Sequence, residues 1–179
     1  KIVIDDGRRF LQRSSDIFDV VTLDPPPPVE AAGSSLLYSR EFYELVKLRL
    51  SNRGILQQWL PGGEHRTLQA VTRSLHESFP YIRVFQSFEG WGYHFLASLA
   101  PIQIPTGNPL TLLPPKAQKD LMEWSKYYRH ANFLARTLEN EFPLTDCLNE
   151  DTSIVILDDR PYNEYFILRR LWQQWKNWE

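Results

Sequence analysis

The fold is decided by residues 17–23, IFDVVTL, which are followed at once by Asp24 and by four prolines at residues 25–28. The nearly continuous run of apolar and β-branched residues predicts a strand that is covered on both faces. Proline has no backbone N–H to donate to a sheet, so the prolines end this strand and stiffen the loop behind it. A carboxylate therefore follows the carboxyl end of a predicted buried strand.

Strands and helices alternate outward from this stretch. KIVI (1–4) predicts a strand, RRFLQRSS (8–15) a short helix and ILQQWL (55–60) another strand. Ser39 is the expected cap of a helix that ends at Asn52-Arg53-Gly54. A further helix is predicted from an apolar stripe at helical spacing, formed by Leu68, Val71, Leu75 and Phe79.

YIRVFQSF (81–88) and YHFLASL (93–99) flank a short glycine-containing link, which predicts an antiparallel hairpin. The whole order predicts an α/β fold: a methyltransferase-like, Rossmann-like and mostly parallel sheet, closed by that hairpin. In such sheets ligands bind beyond the carboxyl ends of the strands, where Asp6 and Asp24 both lie.

The proline-rich residues 101–115 predict a boundary between a domain at 1–100 and a mainly helical extension at 101–179. In the extension, SIVIL (153–157) predicts a short strand, and a last helix follows it. Helical spacing places Tyr165, Leu168, Trp172 and Trp175 on one face of that helix. We interpret Trp172, Trp175 and Trp178 as packing or interface residues.

Composition excludes several classes of protein. Of the 179 residues 42% are hydrophobic, which is enough for a core. The net charge of −2 provides no basic field for nucleic acid. A single cysteine, Cys147, excludes an internal disulfide and a cysteine-rich metal site. No signal peptide or apolar run long enough to span a membrane is visible. Since Lys1 opens directly into a predicted strand, we expect the chain to be a piece of a longer protein.

Three stretches resemble the polyamine aminopropyltransferases, the spermidine synthase family, and look most like its bacterial, often membrane-fused members. They are IDDGRRFL (4–11), FDVVTLDPPPPVEAAGSSLLYSREFY (18–43) and LDDRPYNEYFILRR (157–170). With the hairpin, the first two make residues 1–99 resemble the C-terminal part of the catalytic domain. The resemblance implies a cytoplasmic transferase that acts on a small polyamine such as putrescine, commonly as a homodimer, with a membrane-spanning segment in the full-length protein of the fused subgroup.

The resemblance also implies roles for single residues. Asp24 matches the general base, while Asp6 and Gly7 match the contacts to the adenine of the co-substrate, decarboxylated S-adenosylmethionine. Gln58 and Trp59 stand near the position of a substrate-binding glutamine. No metal is implied. Pro27 occupies the position where the family carries a second aspartate that helps to hold the amine.

The family's glycine-rich loop, which holds the co-substrate, has no counterpart in these 179 residues. It belongs to the first two strands of the family's sheet, and the resemblance starts at the third. We therefore expect the chain alone to bind co-substrate poorly, to be inactive and to fold poorly.

Alternatives remain for each of these residues. Asp24 can be a turn cap, and Asp6 can be a helix N-cap, a contact to adenine or both. Asp158, Asp159 and Glu164 suggest a metal, but capping and surface pairing suit their spacing better. His94 lies in a predicted strand and is interpreted as a packed residue.

Two alternative functions also remain. One is a methyltransferase that uses S-adenosylmethionine, since Asp24-Pro25-Pro26 is similar to the Asp-Pro-Pro-aromatic signature of amino-methylating enzymes. The other is a degenerate, non-catalytic domain, which the missing second aspartate favours.

Overall fold

The computed structural model describes residues 2–24, 28–87, 90–124, 133–148 and 154–176. The strands of this part of the chain are β1 (Phe18–Leu23), β2 (Leu50–Leu60), β3 (Tyr81–Gln86), β4 (Tyr93–Ser98) and β5 (Glu141–Phe142). Its α-helices are α1 (Gly7–Arg13), α2 (Arg40–Lys47), α3 (His65–Ser78), α4 (Pro115–Trp124), α5 (Phe133–Glu139), α6 (Leu144–Cys147) and α7 (Phe166–Lys176).

The five strands form one sheet in the order β1-β2-β4-β3-β5. The α/β class and the antiparallel hairpin of β3 and β4 are confirmed. The sheet is mixed rather than mostly parallel, because within the described residues only β1 and β2 run parallel. The predicted strand KIVI is absent from the described residues 2–4, where Ile2 is 93% and Ile4 99% exposed and no strand partner holds them.

The helix α2 begins after Ser39 as predicted and ends earlier than predicted. The Ser39 hydroxyl accepts the Phe42 N–H at 3.2 Å and caps α2. α2 then ends at Lys47, and Asn52-Arg53-Gly54 belongs to β2. In the pairing with β1, Leu50 lies opposite Phe18 and Ile55 opposite Val20, so residues 51–54 form an irregularity of the ladder. A Cβ on Gly54 would lie 3.0 Å from the Phe18 carbonyl oxygen there.

Alternation along the strands gives the sheet two different faces. Leu56, Gln58 and Leu60 of β2 are buried in the core together with residues of α2 and α3. The opposite face is more open. On β1, Phe18, Val21 and Leu23 pack against the core, but Val20 is 60% exposed, so the prediction that this strand is covered on both faces is wrong.

Residues after position 100 share the core of the sheet domain. β5 pairs with β3, and the side chains of Cys147 and Ile156 are fully buried. The described part of SIVIL is not a strand, because other elements bond its backbone. The Ile156 N–H donates to the Ser74 hydroxyl at 2.8 Å, and the Ile156 carbonyl accepts the Arg40 N–H at 2.9 Å.

The last helix, α7, presents an apolar stripe to the surface. Tyr165 just before it and Leu168, Trp172 and Trp175 within it are each more than half exposed. Trp178 lies outside the described residues. No described helix combines the length and the apolar character that are needed to cross a lipid bilayer.

Candidate active site

A cleft of about 350 Å³ lies at the carboxyl ends of the two parallel strands. β1 contributes Thr22, and Asp24 follows that strand directly. The remaining lining residues come from β2, from β4 and from the link between β3 and β4: Gln57, Trp59, Ser87, Trp91 and His94. The cleft therefore lies where an α/β sheet of this kind binds its ligands.

A chain of hydrogen bonds crosses three strands at the floor of the cleft. Thr22 and Gln57 are paired across β1 and β2, and the Thr22 hydroxyl donates to Gln57 Oε1. The Gln57 amide then donates from Nε2 to His94 Nδ1 at 3.2 Å. This order of donors leaves the proton of a neutral His94 on Nε2. The floor is thus polar and its side chains are held in defined orientations.

Two indole rings form an aromatic wall of the cleft. Trp59 and Trp91 meet edge to face with their ring centroids 5.1 Å apart. Gly92 has a φ of +77°, and a Cβ at this position would lie 2.8 Å from the Leu60 carbonyl oxygen and 3.0 Å from Trp59 Nε1. Only glycine allows the β3–β4 link to approach Trp59 so closely.

Two opposing effects determine the charge state of His94. Burial lowers its pKa below the ordinary histidine value, because burial disfavours the charged ring. The Asp24 carboxylate acts in the opposite direction and only partly offsets the effect of burial. Near neutral pH His94 is therefore a neutral ring, which agrees with its accepting a hydrogen bond from Gln57.

We expect the Asp24→Asn substitution to lower the pKa of His94 further, because it removes the charge that opposes burial. The pKa is measured by NMR titration of the His94 ring signals, with Asp19→Asn as the control on the same strand. Because the pKa of His94 is lower in the folded than in the unfolded chain, the unfolded chain takes up the proton first as the pH falls. His94 therefore lowers the free energy of unfolding as the pH drops below about 6.5, the ordinary histidine pKa. An unchanged His94 pKa in Asp24→Asn would contradict the electrostatic contact.

Of the two predicted substrate-binding residues, Gln58 and Trp59, only Trp59 lines the cleft. Trp59 lines the cleft together with Asp24. Gln58 does not reach it: the side chain is fully buried on the opposite face, where Oε1 accepts from the Tyr43 hydroxyl at 2.8 Å. Successive residues of a strand point to opposite faces, so Gln58 and Trp59 cannot both line one cleft. Gln57 is the glutamine that does.

Asp6 and Gly7 lie at the start of α1 and do not line this cleft. Asp6 Oδ1 accepts the Arg9 N–H at 2.8 Å, so the N-cap interpretation is confirmed. A Cβ on Gly7 would meet no atom within 4 Å, and the cap occupies one carboxylate oxygen of Asp6.

Sequence reasoning missed Thr22, Gln57, Ser87, Trp91 and His94 as lining residues. Strand alternation would have found the first two, because Thr22 stands two residues before Asp24 and Gln57 two residues before Trp59. His94 is half-buried and bonded to Gln57 at the cleft floor. Pro25, Pro26 and Pro27 lie outside the described residues.

The fold and the cleft together define a Rossmann-like α/β domain with an open cleft at its strand ends. Residues 1–89 match the family model described as the spermine/spermidine synthase domain, and by this match that part of the chain belongs to the family. A polyamine aminopropyltransferase of Sulfurisphaera tokodaii is 31% identical over 101 residues, which are 52% of this chain and 33% of that protein.

Two solved structures show the same fold. A probable spermidine synthase from Corynebacterium glutamicum superposes with a TM-score of 0.50 at 17% identity, covering 63% of this chain and 42% of that one. Human methyltransferase-like protein 13, in complex with SAH, gives 0.51 at 19% identity and covers 86% and 64%. The chain spans about a third to a half of the length of the curated relatives it matches.

Proposed function

We propose that this chain forms the amine-binding half of a spermidine synthase-like active site. The reaction is aminopropyl transfer from decarboxylated S-adenosylmethionine to a polyamine such as putrescine, with Asp24 as the general base. The observation that carries the proposal is the position of Asp24, one residue beyond β1 in a cleft with an aromatic wall and a polar floor. Family membership of residues 1–89 supports the reaction class.

The chemistry needs a carboxylate for two reasons. A polyamine arrives as an ammonium ion, which a carboxylate attracts, and its nitrogen becomes a nucleophile only after losing a proton. The Asp24 carboxylate accepts that proton. The free lone pair then forms a bond to the methylene carbon beside the sulfonium, the carbon–sulfur bond breaks, and methylthioadenosine leaves with the electron pair. The proton on Asp24 returns to solvent.

The aromatic wall suits a cationic ligand. The faces of Trp59 and Trp91 attract an ammonium or a sulfonium through the electron-rich ring. The uncharged floor of Thr22, Gln57 and His94 offers hydrogen bonds without adding a competing cation. Holding both reactants between these surfaces provides the orientation that a bimolecular displacement needs.

In this proposal Asp6 and Gly7 contact the adenine at the start of α1, and Trp59 contacts the amine. The 179 residues alone would be inactive, because they contain no counterpart of the family's glycine-rich loop. A cytoplasmic location and a homodimer complete the proposal.

A product assay with the full-length protein tests the reaction. Putrescine is supplied with either decarboxylated S-adenosylmethionine or S-adenosylmethionine, and the products are identified by mass spectrometry. We expect spermidine and methylthioadenosine with the decarboxylated donor only. A methylated amine formed from S-adenosylmethionine would contradict the proposal and establish a methyltransferase instead.

A further inference from the structure

Residues 156–164, here called the C-terminal brace, contact both segments that carry the predicted site residues. One segment is the start of α1, with Asp6 and Gly7. The other is the loop of residues 28–39, here called the proline loop, which follows Asp24 and leads into α2. The brace lies more than a hundred residues away in sequence from both, so its contacts are tertiary contacts.

The brace holds the middle of the proline loop by hydrogen bonds. Asn163 is fully buried, and its Nδ2 donates to the Val29 carbonyl at 2.5 Å and to the Ser34 hydroxyl at 2.8 Å. The Ser34 hydroxyl itself donates to the same Val29 carbonyl at 2.6 Å. Glu164 Oε1 accepts the Ser35 N–H at 3.0 Å. Backbone and side-chain groups of the loop are thus bonded by two successive residues of the brace.

The brace also joins α1 to the far end of the loop. Both oxygens of Asp158 bond the Arg8 guanidinium, at 2.8 and 2.5 Å. Asp158 Oδ1 also accepts from the Ser39 hydroxyl at 2.6 Å, and Arg8 donates to the Leu36 carbonyl at 2.8 Å. Arg8 directly follows Gly7. One carboxylate therefore connects the helix start that is proposed to contact adenine with the loop that follows Asp24.

The charges of the brace agree with these bonds. Hydrogen bonding to Arg8 holds the pKa of Asp158 below its ordinary value. Partial burial acts to raise the pKa of Glu164, but hydrogen bonds from Ser35 and Gly33 outweigh it, and the net shift is downward. Both side chains are therefore carboxylates at neutral pH, and charged acceptors form the stronger hydrogen bonds.

The proline loop is electrostatically connected to Asp24 through Tyr38. Its side chain is 1% exposed at the end of the loop. Burial raises the pKa of Tyr38, and the carboxylates of Glu30 and Asp24 raise it further. A displacement of the loop would therefore change the surroundings of Asp24.

We propose that the C-terminal brace positions the proline loop for catalysis, with Asn163 and Glu164 as positioning residues that set the affinity for the amine. This inference rests on the proposed function, because it assigns the cleft beside Asp24 to the amine. The brace touches neither substrate nor co-substrate in this proposal. It acts by fixing the loop conformation before the amine binds, which reduces the ordering cost of binding.

Hydrogen exchange of the full-length protein tests the brace without any assay of activity. In Glu164→Ala and in Asn163→Asp, which loses both amide donors, we expect the amides of residues 34–38 to exchange about tenfold faster, as the loss of about 1.4 kcal/mol predicts. Glu164→Gln keeps an acceptor oxygen for Ser35 and should exchange like the wild type. Glu141→Ala is the matched control, since Glu141 pairs with Arg83 at 2.5 Å on β3, away from the cleft.

Kinetics then separate positioning from mere stabilisation. In Glu164→Ala we expect KM for the amine to rise about tenfold, with KM for the donor unchanged and recovery in Glu164→Gln. Unchanged exchange in both Glu164→Ala and Asn163→Asp would overturn the brace, whatever the reaction is. Faster exchange with unchanged amine KM would overturn its positioning role. A wild-type protein that is inactive with every donor would contradict the proposed function, and exchange would still decide whether the brace holds the loop.

Discussion

Asp24→Asn is expected to lower kcat/KM for the amine by about 10²–10⁴-fold in the full-length protein, the range typical of a lost general base. Asparagine has a similar shape but can neither accept the proton nor attract the ammonium. The measurement is the initial rate of methylthioadenosine release at neutral pH. Because Asp24 is exposed at the end of β1, the substitution should leave the free energy of unfolding nearly unchanged.

The control is Asp19→Asn on the same strand. Asp19 is exposed and accepts a hydrogen bond from the Ser51 hydroxyl at 2.8 Å, which an asparagine oxygen can also accept. We expect its kcat/KM to stay within about twofold of the wild type, as is usual for a surface substitution away from the site. Equal rates in the two variants would contradict the role of Asp24 as base.

Gly92→Ala is expected to cost about 3 kcal/mol of the free energy of unfolding. About 1 kcal/mol comes from the positive φ of +77°, which disfavours any side chain. The rest comes from overpacking, because the new Cβ would lie 2.8 Å from the Leu60 carbonyl oxygen. Since the Leu60 oxygen belongs to the backbone, relief requires a shift of the β3–β4 link and of the Trp59–Trp91 wall.

Gly90→Ala is the matched control in the same link. Gly90 has a similar φ of +84°, but a Cβ there would meet no atom within 4 Å. Gly90→Ala should therefore lower the free energy of unfolding only by the roughly 1 kcal/mol that the positive φ costs. Urea denaturation of both variants measures the difference. Equal losses of stability would show that the close approach of Gly92 to β2 does not constrain the wall.

The sequence predicted correctly those elements that are determined by residues close to them in the chain. The strand before Asp24, the Ser39 cap and the β3–β4 hairpin follow from apolar periodicity, capping and turn chemistry, and all three are present. The early end of α2 was missed, because Asn52-Arg53-Gly54 lies within β2, between the positions that pair with Phe18 and Val20 of β1. Tertiary pairing overrode a local helix-stop signal there.

Long-range contacts set the limit of prediction for the candidate site. Asp24 and Trp59 could be predicted, while Gln58 was predicted in place of Gln57 because alternation along β2 was not applied. Nothing in the local sequence shows that Asp158 bonds Arg8, 150 residues away, or that Asn163 bonds Val29. The contacts of residues 157–170, the stretch that resembles the family's C-terminal ending, could therefore be seen only in the structure.

The position of a bound polyamine tests the central claim most directly. A crystal structure of the full-length protein with methylthioadenosine and putrescine would show it. We predict one amine nitrogen within about 2.6–3.2 Å of an Asp24 carboxylate oxygen, as a general base requires, and the carbon chain along the Trp59–Trp91 wall. Putrescine bound elsewhere, with Asp24 in contact with neither amine nor methylthioadenosine, would contradict the assignment of this cleft.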